Sequence, residues 1–193
     1  LRVSFNDFFH TGFLSVLRTS YVVLHVSKQD IAVRADGPRE HGRMRRRYQV
    51  RFAETSVDVD AAQALRYTAF IAETGAALRD GARDADAYDD LCHHVLIEDR
   101  ATGALVATFR LLLLKSGQDI ARSYSAQFYE LDALTRYDKP MVEMGRFCVS
   151  PGTQHPDVPR VAWGATTAFV EREGAELPFG CSSFHCTDTH PFS

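Results

Sequence analysis

Two charged residues stand inside one of the most apolar runs of the chain. Met141 to Pro151 reads MVEMGRFCVSP, a strand pattern of Val142, Met144, Phe147 and Val149 that nevertheless carries Glu143 and Arg146. Burying an unpaired charge costs several kcal/mol, so these two must pair, face a cleft, or both. In a regular strand, residues three apart point to opposite faces. Gly145 lies between them, and a glycine inside a strand often marks a bulge, which would bring Glu143 and Arg146 to one cavity. The alternative is a satisfied ion pair in the core.

Other residues with chemical potential are spread along the chain. Asp58 or Asp60 can cap a helix running to about Glu73 and stopped by Gly75. On that helix Arg66, Phe70 and Glu73 share a face, beside a packing stripe of Ala62, Leu65 and Ala69. Arg66 and Phe70 are therefore expected at the margin of the core. The polar loop Arg79 to Asp90 holds Asp84, Asp86, Asp89 and Asp90 around Tyr88. Arg110 is the only charge in the long apolar strand Ala104 to Leu114, where it either serves the same cavity or reaches solvent from an edge strand. Cys148 as a nucleophile would need His93 or His94 beside it, and nothing in the pattern places either there. The spacing of Cys181, His185, Cys186 and His190 does not match the usual zinc pairs, so no metal is expected.

The elements that must position these residues follow in a readable order. Tyr48 to Ala53 reads as a strand, followed by the helix and the acidic loop. His94 to Glu98 and Ala104 to Leu114 form a hairpin across Asp99 to Gly103. After the segment Tyr124 to Leu134 comes the strand Met141 to Val149, then a helix from Arg160 to Glu173 closed by Gly174 and a short strand from Pro178 to Phe184. Residues 1–47 show no sustained period and end in Arg39, Arg43, Arg45, Arg46 and Arg47. They read as an irregular extension, with one domain from 48 to 193.

Composition narrows the classes. The chain has 193 residues, 45% of them hydrophobic, enough for one domain with a real core. A net charge of -3 argues against a general nucleic-acid binder. Four cysteines do not make a disulfide scaffold and fit a reduced, cytoplasmic setting. Phe13 to Val26 is too short, and broken by Arg18, to span a bilayer.

The order of Arg66-Tyr67-x-x-Phe70-x-x-Glu73, Asp86-x-Tyr88-Asp89-Asp90, Thr102-Gly103, Arg110-Leu111-Leu112 and Glu143-x-Gly145-Arg146-x-x-Val149-x-Pro151 resembles the ornithine-lipid N-acyltransferases. Arg160 to Ala165 and Phe179 to Phe184 add to the resemblance, which covers roughly residues 48 to 188. That family lies in the acetyltransferase-like superfamily with the acyl-homoserine-lactone synthases. It implies an α/β (α+β) GNAT-like fold, a mixed and mostly antiparallel central sheet flanked by helices. The family pattern continues with further helix and strand, so the domain is expected to be incomplete at its C-terminus.

The resemblance further implies transfer of a 3-hydroxyacyl chain from acyl carrier protein to the α-amine of L-ornithine. Glu143 would be the general base, and Arg146 and Arg110 would orient it and bind carboxylate or carbonyl oxygens. Asp86 and Asp89 would hold substrate amines, and Arg66 and Phe70 would shape the acceptor side. Pro151 to Asp157 lacks the glycine-rich diphosphate cradle of coenzyme A enzymes, which favours the carrier-protein thioester as donor, with no further cofactor. Arg160 or the arginines at 43 to 47 could meet an acidic carrier protein, and a lyso-lipid product implies peripheral contact with the inner membrane. The competing readings are a lactone synthase using S-adenosylmethionine and a truncated, non-catalytic carrier-protein or membrane-binding module.

Overall fold

The structure, a computed structural model, describes residues 47–74, 77, 81–151 and 156–181. Strand β1 spans Tyr48–Phe52, helix α1 Ser56–Thr74, β2 His93–Asp99, β3 Leu105–Leu114, β4 Met141–Val149, helix α2 Val158–Arg172 and β5 Leu177–Phe179. Between β3 and β4 lie three short 3-10 turns, Gly117–Arg122, Ser125–Gln127 and Asp132–Arg136. The strands form one five-stranded sheet in chain order. The pairs β1–β2, β2–β3 and β3–β4 are antiparallel and β4–β5 is parallel.

Both faces of the sheet are covered, which is why β3 at its centre reads as a continuous apolar run rather than alternating. On one face Val95, Ile97, Ala107, Phe109, Leu111 and Val142 pack with Val158, Ala162, Phe169 and Val170 of α2. On the other, Leu112, Leu114, Met141, Leu177 and Phe179 pack with Ile120 of the first 3-10 turn. Strand alternation assigns Arg110 and Glu143 to this second face, since their neighbours Phe109, Leu111 and Val142 belong to the first.

The start of α1 is a reciprocal capping box. Thr55 Oγ1 accepts from the Asp58 N–H at 3.2 Å, and Asp58 Oδ2 accepts from the Thr55 N–H at 3.1 Å. The cap is thus Thr55, with Asp58 its partner three residues on, where the sequence offered Asp58 or Asp60 as the cap. Asp58 also binds Arg51 of β1 at 2.7 Å, which ties the helix start to the sheet edge and holds the carboxyl well below the usual range. The buried stripe of α1 is Ala62, Arg66 and Ala69, so Arg66 takes the central place expected for Leu65.

Strand β4 carries a bulge. Thr108 pairs with Cys148 but Arg110 with Gly145, so Arg146 and Phe147 together oppose Phe109. Arg146 itself has φ 54°, the left-handed region a side chain rarely enters. Regular alternation would place Arg146 with Met144 on the α2 face. The extra residue resets the alternation, and Arg146 meets Phe70 of α1 instead.

The 3-10 segment is drawn close to itself at Gly117, whose N–H bonds Tyr137 O at 2.7 Å. A Cβ at this position would collide with the Leu134 carbonyl oxygen. Gly117→Ala is therefore expected to cost about 1–3 kcal/mol in urea unfolding, with an unchanged denaturant slope.

Candidate active site

Three arginines from three elements meet three aspartates from one loop. Arg66 of α1, with no solvent exposure, donates through Nε to Asp84 Oδ2 at 3.0 Å and through Nη2 to both carboxylate oxygens of Asp89 at 2.8 and 2.9 Å. It also donates to the Asp84 carbonyl. Arg110 of β3 forms a two-pronged pair with Asp86 at 2.6 and 3.1 Å and reaches Asp89 at 2.9 Å. Arg146 of β4 lies 3.4 Å from Asp86 and 3.6 Å from Asp84. The loop carrying the aspartates is fixed locally as well: Asp86 accepts from the Tyr88 N–H, and Asp89 from the Asp86 N–H and from Gln63 of α1.

The charges balance, three against three, and burial is offset by pairing. Burial pushes the Asp86 carboxyl up, but Arg110, the Tyr88 N–H and Arg146 outweigh it and hold it at about 2. Burial acts likewise on Asp89, and Arg66 and Arg110 again outweigh it, leaving its carboxyl below the usual range. His94 of β2 lies beneath them, its Nε2 donating to the Asp89 carbonyl at 3.1 Å. Burial lowers its basicity and outweighs the opposing pull of the Asp89 carbonyl and carboxylate, with the charges of Arg66 and Arg110 adding to the lowering.

Glu143 is held by other means than expected. Neither Arg110 nor Arg146 bonds it. Its Oε2 accepts from the Tyr124 N–H at 2.7 Å, and its Oε1 from the Ser125 N–H at 2.7 Å and the Ser125 hydroxyl at 2.5 Å. The buried carboxylate thereby pins the 3-10 segment to β4. The ring of Tyr124 then lies 5.3 Å from the Arg146 guanidinium, on which Phe70 also packs at 5.6 Å. Tyr124 stacks edge-on against Tyr88, whose hydroxyl donates to Ser123 O at 3.3 Å.

The structure therefore gathers Arg66, Asp86, Asp89, Arg110 and Arg146 into one ionic network, with Phe70 stacked on Arg146. Glu143 joins the group through Tyr124. Sequence reasoning placed Asp84 only in a cluster, considered His94 only as a partner for Cys148, and gave no site role to Gln63, Tyr124 or Ser125. Apart from the Ser125 hydroxyl, the Tyr124 and Ser125 contacts to Glu143 use backbone N–H groups, which no residue type announces. Arg110 does not reach solvent: β3 is central and the side chain is buried. Neither His93 nor His94 neighbours Cys148, because β3 lies between their strands. Among the described residues no group of His, Cys, Asp or Glu is arranged to hold a metal, and no helix is long and apolar enough to cross a membrane. The arginines at 39 to 46, residues 152–155, and His185, Cys186 and His190 lie outside the described residues.

Residues 65–164 match the family model described as Acetyltransferase (GNAT) domain, a span that contains every residue of this network except Gln63. The chain belongs to the GNAT acetyltransferase family. Its mixed sheet with flanking helices is the GNAT fold. The chain is 32% identical over 148 residues to the L-ornithine N(alpha)-acyltransferase of Brucella abortus (strain 2308), covering 71% of this chain and 53% of that protein. To the protein of the same name from Rhizobium meliloti (strain 1021) it is 33% identical over 147 residues, covering 70% and 50%. The chain thus spans about half the length of the curated relatives it matches. A GNAT family acetyltransferase from Brucella melitensis, solved in complex with acetyl-CoA, aligns at 15% identity and a TM-score of 0.47 over 71% of this chain and 77% of that one.

Three outcomes follow for this GNAT domain. Asp86 and Asp89 ionise more readily folded than unfolded, so their stabilisation is present above about pH 4 and lost as pH falls below it, for Asp86 toward about 2. His94 takes up a proton less readily when folded, so acidification below about pH 6.5 destabilises the fold through it. Thermal melts should show both declines, with His94→Gln flattening only the upper one. Ser125→Ala removes a hydrogen bond to a buried carboxylate and should cost about 2 kcal/mol by chemical denaturation.

Proposed function

We propose that the protein is an N-acyltransferase that moves a 3-hydroxyacyl chain from acyl carrier protein to the α-amine of L-ornithine, the first step of ornithine-lipid synthesis. The observation that carries this reading is that the curated relatives, 30–33% identical over about 70% of the chain, are each named L-ornithine N(alpha)-acyltransferase. The side-chain chemistry agrees with it: a site of mixed arginine and aspartate suits a cationic amino acid, which brings both a carboxylate and ammonium groups. The lactone-synthase alternative finds no support among those names.

The reaction asks little of the protein. A thioester is already activated, so the α-ammonium must lose a proton, approach the carbonyl carbon, and find donors for the oxyanion. The amine nitrogen bonds to that carbon, the C–S bond breaks, and the carrier-protein thiol leaves with a proton. In this reading Glu143 takes the amine proton, directly or through a water, from Oε2, which spends only one bond on Tyr124. Its fixed position is the work of Ser125. Backbone N–H groups freed at the β4 bulge serve the oxyanion. Arg66, Arg110, Asp86 and Asp89 set the acceptor wall by holding one another, and Phe70 backs Arg146. An amphiphilic product fits a cytoplasmic enzyme in peripheral contact with a membrane.

Mass spectrometry of products tests this, with the full chain, 3-hydroxyacyl carrier protein, and ornithine, lysine and S-adenosylmethionine as competing acceptors. Acyl-ornithine is expected, reduced at least about 100-fold in Glu143→Gln. Glutamine offers an amide NH2 where one N–H donor now bonds carboxylate, so the variant's melting temperature is read alongside. An acyl-lactone product, or full activity in the folded variant, would overturn the reading.

A further inference from the structure

The members of the ionic network are not equally satisfied. Arg66 and Asp89 are closed off from solvent and bonded to each other twice over, and Arg110 holds Asp86 with both terminal nitrogens. Arg66 Nη1 also lacks a partner, but it is sealed inside; at the solvent-facing edge Asp84 and Arg146 are left. Asp84 spends one oxygen, Oδ2, on Arg66, and its Oδ1 bonds nothing among the described residues. Arg146 Nε is buried yet makes no hydrogen bond, lying 3.6 Å from that same Oδ2. Both side chains keep part of their surface in solvent, 22% for Asp84 and 27% for Arg146, while Arg66 has none. The guanidinium of Arg146 is meanwhile fixed between Phe70 and Tyr124, whose faces hold the cation without consuming its N–H donors.

An opposite-charge pair with unspent donors and acceptors at the open edge of a closed network is built to take a zwitterion. We propose that Arg146 binds the α-carboxylate of the acceptor amino acid and Asp84 binds its side-chain ammonium, making Asp84 the residue that selects a cationic acceptor. The proposal rests on the reading that the acceptor is a diamino acid, and it adds the group that distinguishes it from a neutral one. Insertion of such a ligand replaces the long Asp84–Arg146 contact with a carboxylate for Arg146 and an ammonium for Asp84, so each of the two charges meets its opposite. A neutral side chain satisfies Arg146 but leaves Asp84 separated from Arg146 and without a replacement. Sites made to bond a charged group reject an analogue that lacks it for this reason. Asp89 cannot play this part, because Arg66, Arg110 and Gln63 occupy both its oxygens.

Calorimetric binding of L-ornithine and L-norvaline, which differ only by the side-chain amine, tests the assignment without needing a donor. The full chain should bind ornithine about 10–100-fold more tightly. Asp84→Asn keeps an oxygen for Arg66 and should bring the ratio to near one. Arg146→Lys should weaken both ligands alike and leave the ratio standing. Asp84→Glu, longer by one methylene, keeps the charge and should move the preference toward 2,4-diaminobutyrate. An unchanged ratio in folded Asp84→Asn, or equal loss of both ligands there, would overturn the proposal. Failure of the acyltransfer reading has another signature: selective ornithine binding with no acyl-ornithine formed from the carrier-protein thioester.

Discussion

Everything around the site depends on one constraint: Arg66 and Arg110 are guanidinium groups out of contact with water, and each must be neutralised where it lies. An unpaired charge so placed would cost several kcal/mol, enough to endanger a domain whose net stability is on the order of 10 kcal/mol. The loop between α1 and β2 supplies the answer in Asp84, Asp86 and Asp89. These three carboxylates hold α1 over the sheet as firmly as an apolar stripe would, and they do so with direction. An apolar stripe tolerates small slides, whereas two-pronged arginine pairs fix the helix, the loop and the strand in a single register.

The bulge in β4 belongs to the same system. Without the extra residue, Arg146 would face α2 and the apolar layer of Phe109 and Val142. With it, the side chain turns toward Phe70 and the aspartates. The backbone takes an unfavourable conformation at Arg146, and the stacking and ionic contacts of that side chain hold it there. Glu143, three residues earlier, works on the opposite flank by capturing the N–H groups of Tyr124 and Ser125. One strand thus organises both sides of the site, through a cation on one side and an anion on the other.

The strands and helices were largely legible because their signals are periodic and local. Met141 to Val149 matches β4 end for end, and the hairpin, α2 and the edge strand β1 fall within two residues of their expected bounds, while α1 begins earlier than a cap at Asp58 or Asp60 implied. The site was legible as a set of residue types but not as a set of contacts. Arg66 was read as marginal because it lies beside the stripe of Ala62, Leu65 and Ala69, and only the distant aspartates make its burial acceptable. Glu143 was expected to lean on arginines, since charge partners are what side chains announce. Its true partners are mostly backbone donors in a segment of short 3-10 turns, which has no period to read. The left-handed residue of the bulge is Arg146 and not Gly145, because the conformation is imposed by the contacts of the side chain and not permitted by the lack of one.

A network that satisfied every charge would be a better structural core and a worse site. The gradient seen here runs from Arg66 and Asp89, doubly bonded and sealed, through Arg110 and Asp86, to Arg146 and Asp84, long and partly wet. Each inner pair relieves the next of the need to pair fully. Asp86 is already neutralised by Arg110, so it draws Arg146 only weakly. Asp84 is anchored by Arg66 through one oxygen and keeps the other. The outermost pair is held in place by bonds that are not its own, and its charges remain available to a ligand. Rigidity in the interior of the network is thus the condition for openness at its edge.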